Sequence, residues 1–275
     1  MKIYIIFFSG TGNTAWVIKQ LSNELLKRGH VIKIIPCDME NINYKEIESY
    51  DVLGIAYPTY ASDAPSIIYD VISKLKNVDN KKAFAITTMG YMSGDTNWYV
   101  TKKIKIKGYE PFLLCDIQMG NNMHLPYLSP LKVTNNEVLI KRKEKALKKI
   151  ITIADKISDL KKYCESTLIF DHLMGYSQRI GAKLFEKNAF KGFLVNDNCN
   201  KCGRCIKYCP NKNIKIINDN VIIGNNCMLC MRCYNYCHKK AIDSTKKTQN
   251  HKKYKRYTGP ENKIYPDIKK APYYI

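Results

Sequence analysis

Hydrophobic and polar positions over residues 1–165 predict strands that alternate with helices. Residues 3–8 form an uninterrupted apolar run, which is typical of a parallel strand covered on both faces. Apolar positions then recur every three or four residues over 15–28, which predicts an amphipathic helix. Further elements are predicted as strands over 31–36, 51–57, 83–88 and 111–119 and as helices over 64–76 and 97–107. This alternation predicts an α/β fold with a doubly wound parallel sheet of five strands.

The pattern changes after the predicted sheet. Apolar positions over 135–163 predict one long helix that covers the sheet. Residues 166–191 mix apolar and basic positions, and two interpretations stay open. We prefer helices that pack the C-terminal part onto the sheet, and the alternative is an amphipathic segment on a membrane surface. No stretch has the length and apolar character of a membrane-spanning helix, so a membrane partner is not expected.

These changes divide the chain into four predicted segments. An α/β domain covers residues 1–165, a helical linker covers 166–195, and a small α+β domain covers 196–245. Residues 246–275 are rich in basic side chains and contain three prolines. We expect this last segment to be a basic tail that lies on the surface or is partly disordered, with Tyr265, Tyr273 and Tyr274 as candidate anchors.

A loop rich in glycine and hydroxyl groups joins the first strand to the first helix. Its residues are Ser9, Gly10, Thr11, Gly12, Asn13 and Thr14. Backbone N–H groups at the start of a helix form an anion site. Since the loop contains no Lys or Arg, we expect its hydroxyls and amides to bind a phosphate. The loop lacks the GxxxxGK pattern of nucleoside triphosphatases, and two glycines alone do not make a dinucleotide site.

The sequence Ser-Gly-Thr-Gly-Asn-Thr resembles the phosphate loop of flavodoxins, which bind flavin mononucleotide (FMN). The resemblance implies a flavodoxin-like strand order, with FMN beyond the carboxyl ends of the first and third strands. Two later loops are then expected to flank the flavin ring, with Tyr60 and Tyr91 as stacking candidates. The predicted FMN-binding residues of these loops are Pro58, Thr59, Tyr60 and Ala61, and then Thr88, Met89, Gly90, Tyr91, Gly94 and Asp95.

Eight of the eleven cysteines form two runs of identical spacing, C-x2-C-x2-C-x3-C, so that the second run repeats the first at a constant offset. The first run is Cys199, Cys202, Cys205 and Cys209, and the second is Cys227, Cys230, Cys233 and Cys237. Bacterial two-cluster ferredoxins have this spacing, and the fourth cysteine of each run ligates the other cluster. On that rule one [4Fe–4S] cluster takes the first three cysteines of the first run with Cys237. The other cluster takes the first three cysteines of the second run with Cys209.

Zinc ions and disulfide bonds are the alternatives for these cysteines. Zinc sites use separated cysteine pairs, and a third thiolate at two-residue spacing has no role in such a loop. A dense disulfide framework suits a secreted protein. The apolar run over residues 3–8 is too short for the core of a signal peptide. We therefore favour iron–sulfur clusters and expect a cytoplasmic protein.

The formal charge of +21 comes almost entirely from the second half of the chain. Residues 1–130 carry 14 basic and 12 acidic side chains. A compositional bias toward Lys, Ile, Asn and Tyr explains such a charge without any function. The alternative is docking to an acidic redox partner, such as a ferredoxin, a flavodoxin or an oxidoreductase, because charge steers encounter. No nucleic-acid recognition module is visible, and no nucleic-acid partner is expected.

Together the motifs resemble those of flavodoxin–ferredoxin fusion proteins of anaerobic bacteria. The resemblance covers residues 1 to about 245 and implies an FMN domain followed by a ferredoxin domain with two [4Fe–4S] clusters. It also implies an intracellular flavoprotein that transfers single electrons between clusters and flavin. Two alternatives stay open: a flavin-dependent reductase of a quinone or nitro compound, and a structural or sensing role for the clusters. No constellation of a base and a nucleophile is visible, so no catalytic residue is predicted.

Overall fold

A computed structural model of the chain describes residues 1–39, 41–128, 130–165, 169–189 and 193–263. One parallel sheet dominates it, with the strands β1 (Lys2–Phe7), β2 (Val31–Pro36), β3 (Val52–Pro58), β4 (Lys81–Met89), β5 (Tyr109–Gln118) and β6 (Tyr163–Cys164). The strand order is β2-β1-β3-β4-β5-β6, and all neighbours run parallel. The first five strands have the flavodoxin-like order, which confirms the predicted fold of this part.

The prediction of five strands is corrected by β6. This strand is very short, and Tyr163 and Cys164 pair with Leu113 and Leu114 of β5. So short a strand has no alternation of polar and apolar positions that a sequence pattern can reveal.

Helices cover both faces of the sheet, which explains the continuous apolar run of β1. Helices α1 (Asn13–Lys27) and α4 (Asn136–Ser158) pack on the face that includes Ile3 and Ile5. Helices α2 (Ser66–Lys74) and α3 (Thr96–Ile106) pack on the opposite face, with Tyr4 and Ile6. The start of α4 is capped by the Asn135 side chain, which accepts a hydrogen bond from the Val138 amide at 2.9 Å.

A single helix, α5 (Ile169–Ala189), occupies most of the region where we predict packing helices. It lies on the α/β domain near the ends of β3 and β4. There Arg179 donates a hydrogen bond to the Ser62 carbonyl at 2.7 Å, and the Ser62 hydroxyl donates to Gln178 at 2.7 Å. Among the helices that the structure describes, none has the length and apolarity needed to cross a membrane.

The cysteine-rich part contains two small antiparallel sheets and two short helices. Its elements are β7 (Leu194–Val195), α6 (Arg204–Lys207), β8 (Ile214–Ile217), β9 (Asn220–Ile223), α7 (Arg232–Tyr236) and β10 (Ile242–Asp243). Ile214 pairs with Ile223 in one sheet, and Ile242 pairs with Val195 in the other. The offset that relates the two cysteine runs also relates these two pairs, so the repeat in the sequence is a structural repeat as well.

The chain after β10 differs from the predicted surface tail. Residues 246–263 fold back over the protein, where Tyr254 and Tyr257 are buried and Arg256 binds Asp243 at 2.7 Å. The aromatic side chains of this basic segment give it apolar surface to bury. The high charge of the segment led to the prediction of an exposed tail. Residues 264–275, with the tyrosines that we considered as anchors, lie outside the described residues.

Candidate functional site

The backbone around the two cysteine runs repeats an uncommon conformation. Lys201 and Leu229, which occupy equivalent positions in the two runs, have left-handed φ angles of 55° and 52°. Gly203 and Met231, which are equivalent in the same way, have φ angles of 74° and 60°. For leucine and methionine this conformation is unfavourable by roughly 1–2 kcal/mol each. Backbone strain of this kind concentrates at ligand sites, and here it turns each loop so that its thiols face one cavity.

The eight thiols gather around two adjacent cavities. Cys199, Cys202, Cys205 and Cys237 line the first cavity, and Cys233 borders it as well as the second. The second is lined by Cys209, Cys227, Cys230 and Cys233. These are the two crossed sets that the spacing rule names as ligands, while their binding of iron stays a prediction.

The thiols are buried to different degrees, and their surroundings suit a ligand role. The pKa of Cys205 is raised to about 11, mainly by burial and to a smaller extent by the nearby Cys237, Cys199 and Cys202. Burial also raises the pKa of Cys230 to about 12, an effect that the nearby arginine opposes. A metal bound to such a thiol keeps it deprotonated in spite of its burial. A cluster therefore supplies the counter-charge that these buried cysteines need as thiolates.

Backbone amides donate hydrogen bonds to the sulfur atoms of Cys209 and Cys237, the fourth cysteines of the two runs. Asn213 donates a hydrogen bond to Sγ of Cys209 at 3.3 Å, and Ala241 donates to Sγ of Cys237 at 3.2 Å. Hydrogen bonds to sulfur ligands tune the potential of a cluster. All eleven cysteines are free thiols. Within the described part of the chain, no three His, Cys, Asp or Glu side chains are grouped to hold a single metal ion.

The two cavities differ in what surrounds them. The first opens to solvent beside the exposed Cys202, and Lys201, Arg204 and Lys239 are among its lining residues. The second is turned toward the α/β domain, where Cys230 packs into the apolar cluster formed by β1, β3, α2 and α3. One set of thiols therefore faces possible partners, and the other faces the edge of the sheet.

The phosphate loop lies at that edge, and its hydroxyls contact other protein groups. The side chains of Ser9, Thr11 and Thr14 are almost completely buried. Ser9 Oγ accepts a hydrogen bond from the Gly12 amide at 3.1 Å, and Thr11 Oγ1 accepts one from the Asn122 side chain at 2.9 Å. Thr14 Oγ1 lies 2.8 Å from the hydroxyl oxygen of Thr88. In the first two contacts the hydroxyl oxygen accepts, so these bonds do not use the proton that a phosphate would accept.

The second cysteine run covers this loop directly. The Arg232 guanidinium donates to the carbonyls of Ser9 and Gly10 at 2.7 Å and 3.0 Å. It also binds Asp38 at 2.6 Å, and both side chains of this ion pair are buried. A Cβ atom added to Gly10 would lie 2.6 Å from the Cys230 carbonyl oxygen. No local sequence pattern reveals these contacts, because they join segments from opposite ends of the chain.

The two loops that we expect to flank a flavin ring lie side by side. Thr59 donates a backbone hydrogen bond to the Thr88 carbonyl at 2.9 Å. The Tyr60 hydroxyl reaches the phosphate loop, since it lies 2.8 Å from the position of a Cβ atom on Gly10. Tyr91 is exposed, and its hydroxyl donates to a backbone carbonyl at 3.2 Å. The two stacking candidates therefore have different surroundings.

Other predicted residues of the ring loops make structural contacts. Pro58, Thr88 and Met89 are strand residues, because they end β3 and β4. Ala61 has a left-handed φ of 51°, and a Cβ atom on Gly90 would lie 2.9 Å from the side chain of Asn121.

Helix α5 engages the end of the second ring loop. Gly94 has a left-handed φ of 55° and packs closely against Ser62. Burial raises the pKa of Asp95, but hydrogen bonds from Arg179 and His172 outweigh that effect and hold it below its ordinary value. Arg179 lies 2.5 Å from Asp95, and His172 lies 3.1 Å from it. These contacts hold α5 against the loop.

FMN is the cofactor to test against these loops, because the flavodoxin-like strand order carries it at this edge. The loop that would hold its phosphate is covered by Cys230 and Arg232, and the hydroxyls of that loop have partners in the protein. The Tyr60 hydroxyl lies close to the same Cβ position of Gly10. These contacts engage carbonyls and acceptor oxygens, whereas a phosphate accepts hydrogen bonds from amides and hydroxyls, so they do not exclude FMN from the loop.

A buried carboxyl on β5 makes this edge sensitive to pH. Asp116 accepts hydrogen bonds from Asn97 at 2.6 Å and from Ser93. The pKa of Asp116 is raised to about 6, mainly by burial and to a smaller extent by the nearby Glu165 carboxylate, although the hydrogen bond from Ser93 opposes both effects.

The free energy of unfolding is expected to fall as pH rises from about 4 to about 6, because folded Asp116 keeps a proton that the unfolded chain has lost. A pKa of about 6 against an ordinary value of 3.8 corresponds to about 3 kcal/mol. Asp116→Asn keeps the hydrogen bonds without the charge. Urea unfolding should show the variant gaining stability relative to the wild type from pH 4 to pH 7. A constant difference between the two proteins would contradict this assignment.

No protein family and no curated protein matches the chain. Solved structures that resemble it include a flavodoxin from the domain Archaea, at 16% identity and a TM-score of 0.41, over 57% of this chain and 99% of that chain. Flavodoxin 1 from Bacillus cereus is 16% identical with a TM-score of 0.44, over 58% and 98% of the two chains. Rubredoxin oxygen:oxidoreductase from the anaerobe Desulfovibrio gigas is 15% identical with a TM-score of 0.39, over 56% and 36%. Likenesses this distant carry no conclusion about function, and the fold assignment depends on the strand order.

Proposed function

We propose that this chain is an electron-transfer protein that holds two [4Fe–4S] clusters in its C-terminal part. The observation that carries the proposal is the crossed arrangement of eight thiols around two cavities. Cys199, Cys202, Cys205 and Cys237 would hold one cluster, and Cys209, Cys227, Cys230 and Cys233 would hold the other. Clusters of this type take up and release electrons at a potential that the protein sets.

The residues around each cavity have distinct tasks in this function. The left-handed residues before Cys202 and Cys230 turn the loops inward, and helices α6 and α7 present Cys205 and Cys233. These two helices are in contact with each other, which keeps the cavities adjacent. Cys230 of the second set is buried, whereas the other thiols of that set are partly exposed. Electron transfer needs this closeness and rigidity more than it needs a catalytic group.

Metal analysis after anaerobic assembly with iron and sulfide tests the proposed function. About eight irons per chain are expected, with a broad sulfur-to-iron absorbance. Zinc as the only bound metal, with no uptake of iron, would exclude the two clusters and with them this function.

The partner that we propose is an acidic redox protein. Lys201, Arg204 and Lys239 are among the residues that line the first cavity, and Lys240 is exposed next to them. Positive charge around a redox centre raises the rate of encounter with a negatively charged protein. Among the residues that line the second cavity, the cation is Arg232, which is buried and paired with Asp38. We therefore place the docking surface at the first cavity.

Reversal of charge at this surface is expected to slow electron exchange. Lys239→Glu with Lys240→Glu should lower the rate with a small acidic ferredoxin roughly tenfold at low salt. The difference should shrink in high salt, which screens exposed charges. Stopped-flow mixing measures the rate, and Lys103→Glu with Lys105→Glu on α3 is the matched control, since both residues are exposed. Equal slowing by both pairs would show that net charge, rather than this surface, guides the partner.

A further inference from the structure

Helix α5 is amphipathic, and the side that it packs against the α/β domain is its polar side. Arg179 donates to the Asp95 carboxylate at 2.5 Å, and the Arg179 side chain is only 12% exposed. Gln178 accepts a hydrogen bond from the Ser62 hydroxyl at 2.7 Å. Gly175 lets the helix approach closely, because a Cβ atom there would collide with the Asp95 side chain. Hydrogen bonds and an ion pair therefore fix the orientation of α5 on the domain.

The apolar side of α5 faces away from the domain. Four of its large side chains are exposed, namely Phe170 by 65%, Leu173 by 68%, Tyr176 by 63% and Ile180 by 44%. Their spacing of three, three and four residues places them along one line of the helix, which is about 15 Å long at the rise of an α-helix. We call these four residues the α5 stripe.

This orientation is the reverse of the usual one, in which the apolar side of a surface helix faces the core of the protein. Helix α1 has the usual orientation, because its apolar residues Val17, Leu21 and Leu25 are buried. A contiguous exposed apolar surface marks a site of contact with another molecule or with a membrane. We therefore expect a partner to cover the α5 stripe.

Helix α3 extends this exposed surface with an aromatic side chain and lysines. The Trp98 ring contacts the His172 ring of α5, with 4.4 Å between the ring centroids, and Trp98 is exposed. Lys102 Nζ lies 3.4 Å from the centroid of the Trp98 ring. Lys103 and Lys105 are exposed as well, and the sequence of α3 contains no acidic residue. The apolar stripe therefore has a cationic flank.

We propose that the α5 stripe binds the surface of a lipid bilayer that contains anionic lipids. An apolar helix side with lysines beside it binds such a surface by burial of its apolar side chains and by attraction to the anionic headgroups. Trp and Tyr are enriched at the boundary between lipid and water, which suits Trp98 and Tyr176. A second copy of the chain is the less favoured partner, because two molecules with a formal charge of +21 repel each other. The proposal goes beyond electron transfer and does not rest on it, since the cysteine-rich part contributes no residue to the stripe.

The two interpretations of residues 166–191 become compatible in this proposal. The polar side of α5 packs the helix onto the α/β domain, while its apolar side, which is exposed in the described structure, meets the lipid. No spanning helix is needed, because such a helix lies in the plane of the interface.

Flotation with lipid vesicles tests this proposal on the full, iron-loaded chain. Vesicles of equal parts phosphatidylglycerol and phosphatidylcholine should bind the chain at least roughly tenfold more tightly than vesicles of phosphatidylcholine alone, and high salt should weaken the binding. Phe170→Ser with Leu173→Ser should lower binding to the anionic vesicles at least roughly tenfold, because the stripe loses two large apolar side chains. Ile140→Ser with Ile151→Ser is the matched control, since both isoleucines are exposed on α4, and it should bind like the wild type.

Three results would overturn the proposal. The first is no binding to the anionic vesicles, and the second is an equal loss of binding in the α5 variant and in the α4 control. The third is self-association in sedimentation that the α5 variant abolishes while no protein binds vesicles, which would assign the stripe to a second copy. Iron is counted on each protein, so failure of the wild type to hold clusters would overturn the proposed function and leave the vesicle result valid.

Tryptophan fluorescence gives a second readout that needs no change in α5. The chain has two tryptophans, of which Trp16 is buried and Trp98 flanks the stripe. Addition of anionic vesicles should shift the emission to shorter wavelength as Trp98 enters the boundary between lipid and water. Trp98→Phe should abolish this shift while the protein still floats with the vesicles. Vesicle binding by the wild type without any shift would place the contact elsewhere on the protein, and the proposal would fail.

Discussion

Cys237→Ser is expected to remove about half of the iron, and the cluster lost is the one built on the first cysteine run. Cys237 ends the second run in sequence, yet it lines the same cavity as Cys199, Cys202 and Cys205. Cys209→Ser should remove the other cluster, because Cys209 lines the cavity of the second run. Each variant therefore damages the cluster of the run to which it does not belong.

The crossing is tested by combining substitutions. Cys237→Ser with Cys199→Ser should lose no more iron than either change alone, since both residues serve one cluster. Cys209→Ser with Cys199→Ser should lose nearly all of the iron, since the two residues serve different clusters. Iron analysis and electron spin resonance of the remaining cluster are the measurements, and Cys164→Ser at an exposed position is the control. Complete loss of iron in the first combination, with half left in the second, would show that the ligand sets are not crossed.

Asp38→Asn is expected to lower the free energy of unfolding by about 3 kcal/mol. The change keeps the shape of the side chain but leaves the buried Arg232 charge without a negative partner. Arg232 belongs to the cysteine-rich part and Asp38 follows β2, so the loss falls on the contact between the two parts of the chain. Chemical denaturation measures the total effect. Hydrogen exchange should be faster at the Gly12 amide, which donates to the Ser9 hydroxyl within the loop that Arg232 contacts.

The matched control is another aspartate that pairs with an arginine. Asp155 binds Arg28 at 2.7 Å, but its side chain is 57% exposed. Exposed pairs contribute about 0–1 kcal/mol, so Asp155→Asn should have a small effect. If both variants lose the same stability, the contact made by Arg232 and Asp38 does not hold the two parts together.

The parts of the fold that were predictable from sequence are those with a local signal. The apolar run of β1 follows from its burial on both faces of the sheet. The spacing of apolar positions by three and four residues in α1 follows from its burial on one face. The cysteine spacing indicated both crossed thiol sets, because three closely spaced cysteines can face one cavity while the fourth starts the next segment. In each case the residues that carry the information are neighbours in sequence.

The contacts between the second cysteine run and the phosphate loop were not predictable in this way. Arg232 looks like any basic residue within a cysteine run, and its burial against Ser9 and Gly10 depends on tertiary placement. The Ser-Gly-Thr-Gly-Asn-Thr pattern predicts the shape of a loop, but it does not show which other segments contact that loop. The flavodoxin-like strand order is shared by flavodoxin and by CheY, so that order alone does not determine a flavin site.

Reductive titration of the iron-loaded chain tests the central claim most directly, namely two redox-active [4Fe–4S] clusters. With dithionite under anaerobic conditions, we expect the two clusters to take up about two electron equivalents per chain, one for each cluster. Bleaching of the sulfur-to-iron absorbance should accompany this uptake. Uptake of none by protein that has bound iron would contradict electron transfer itself.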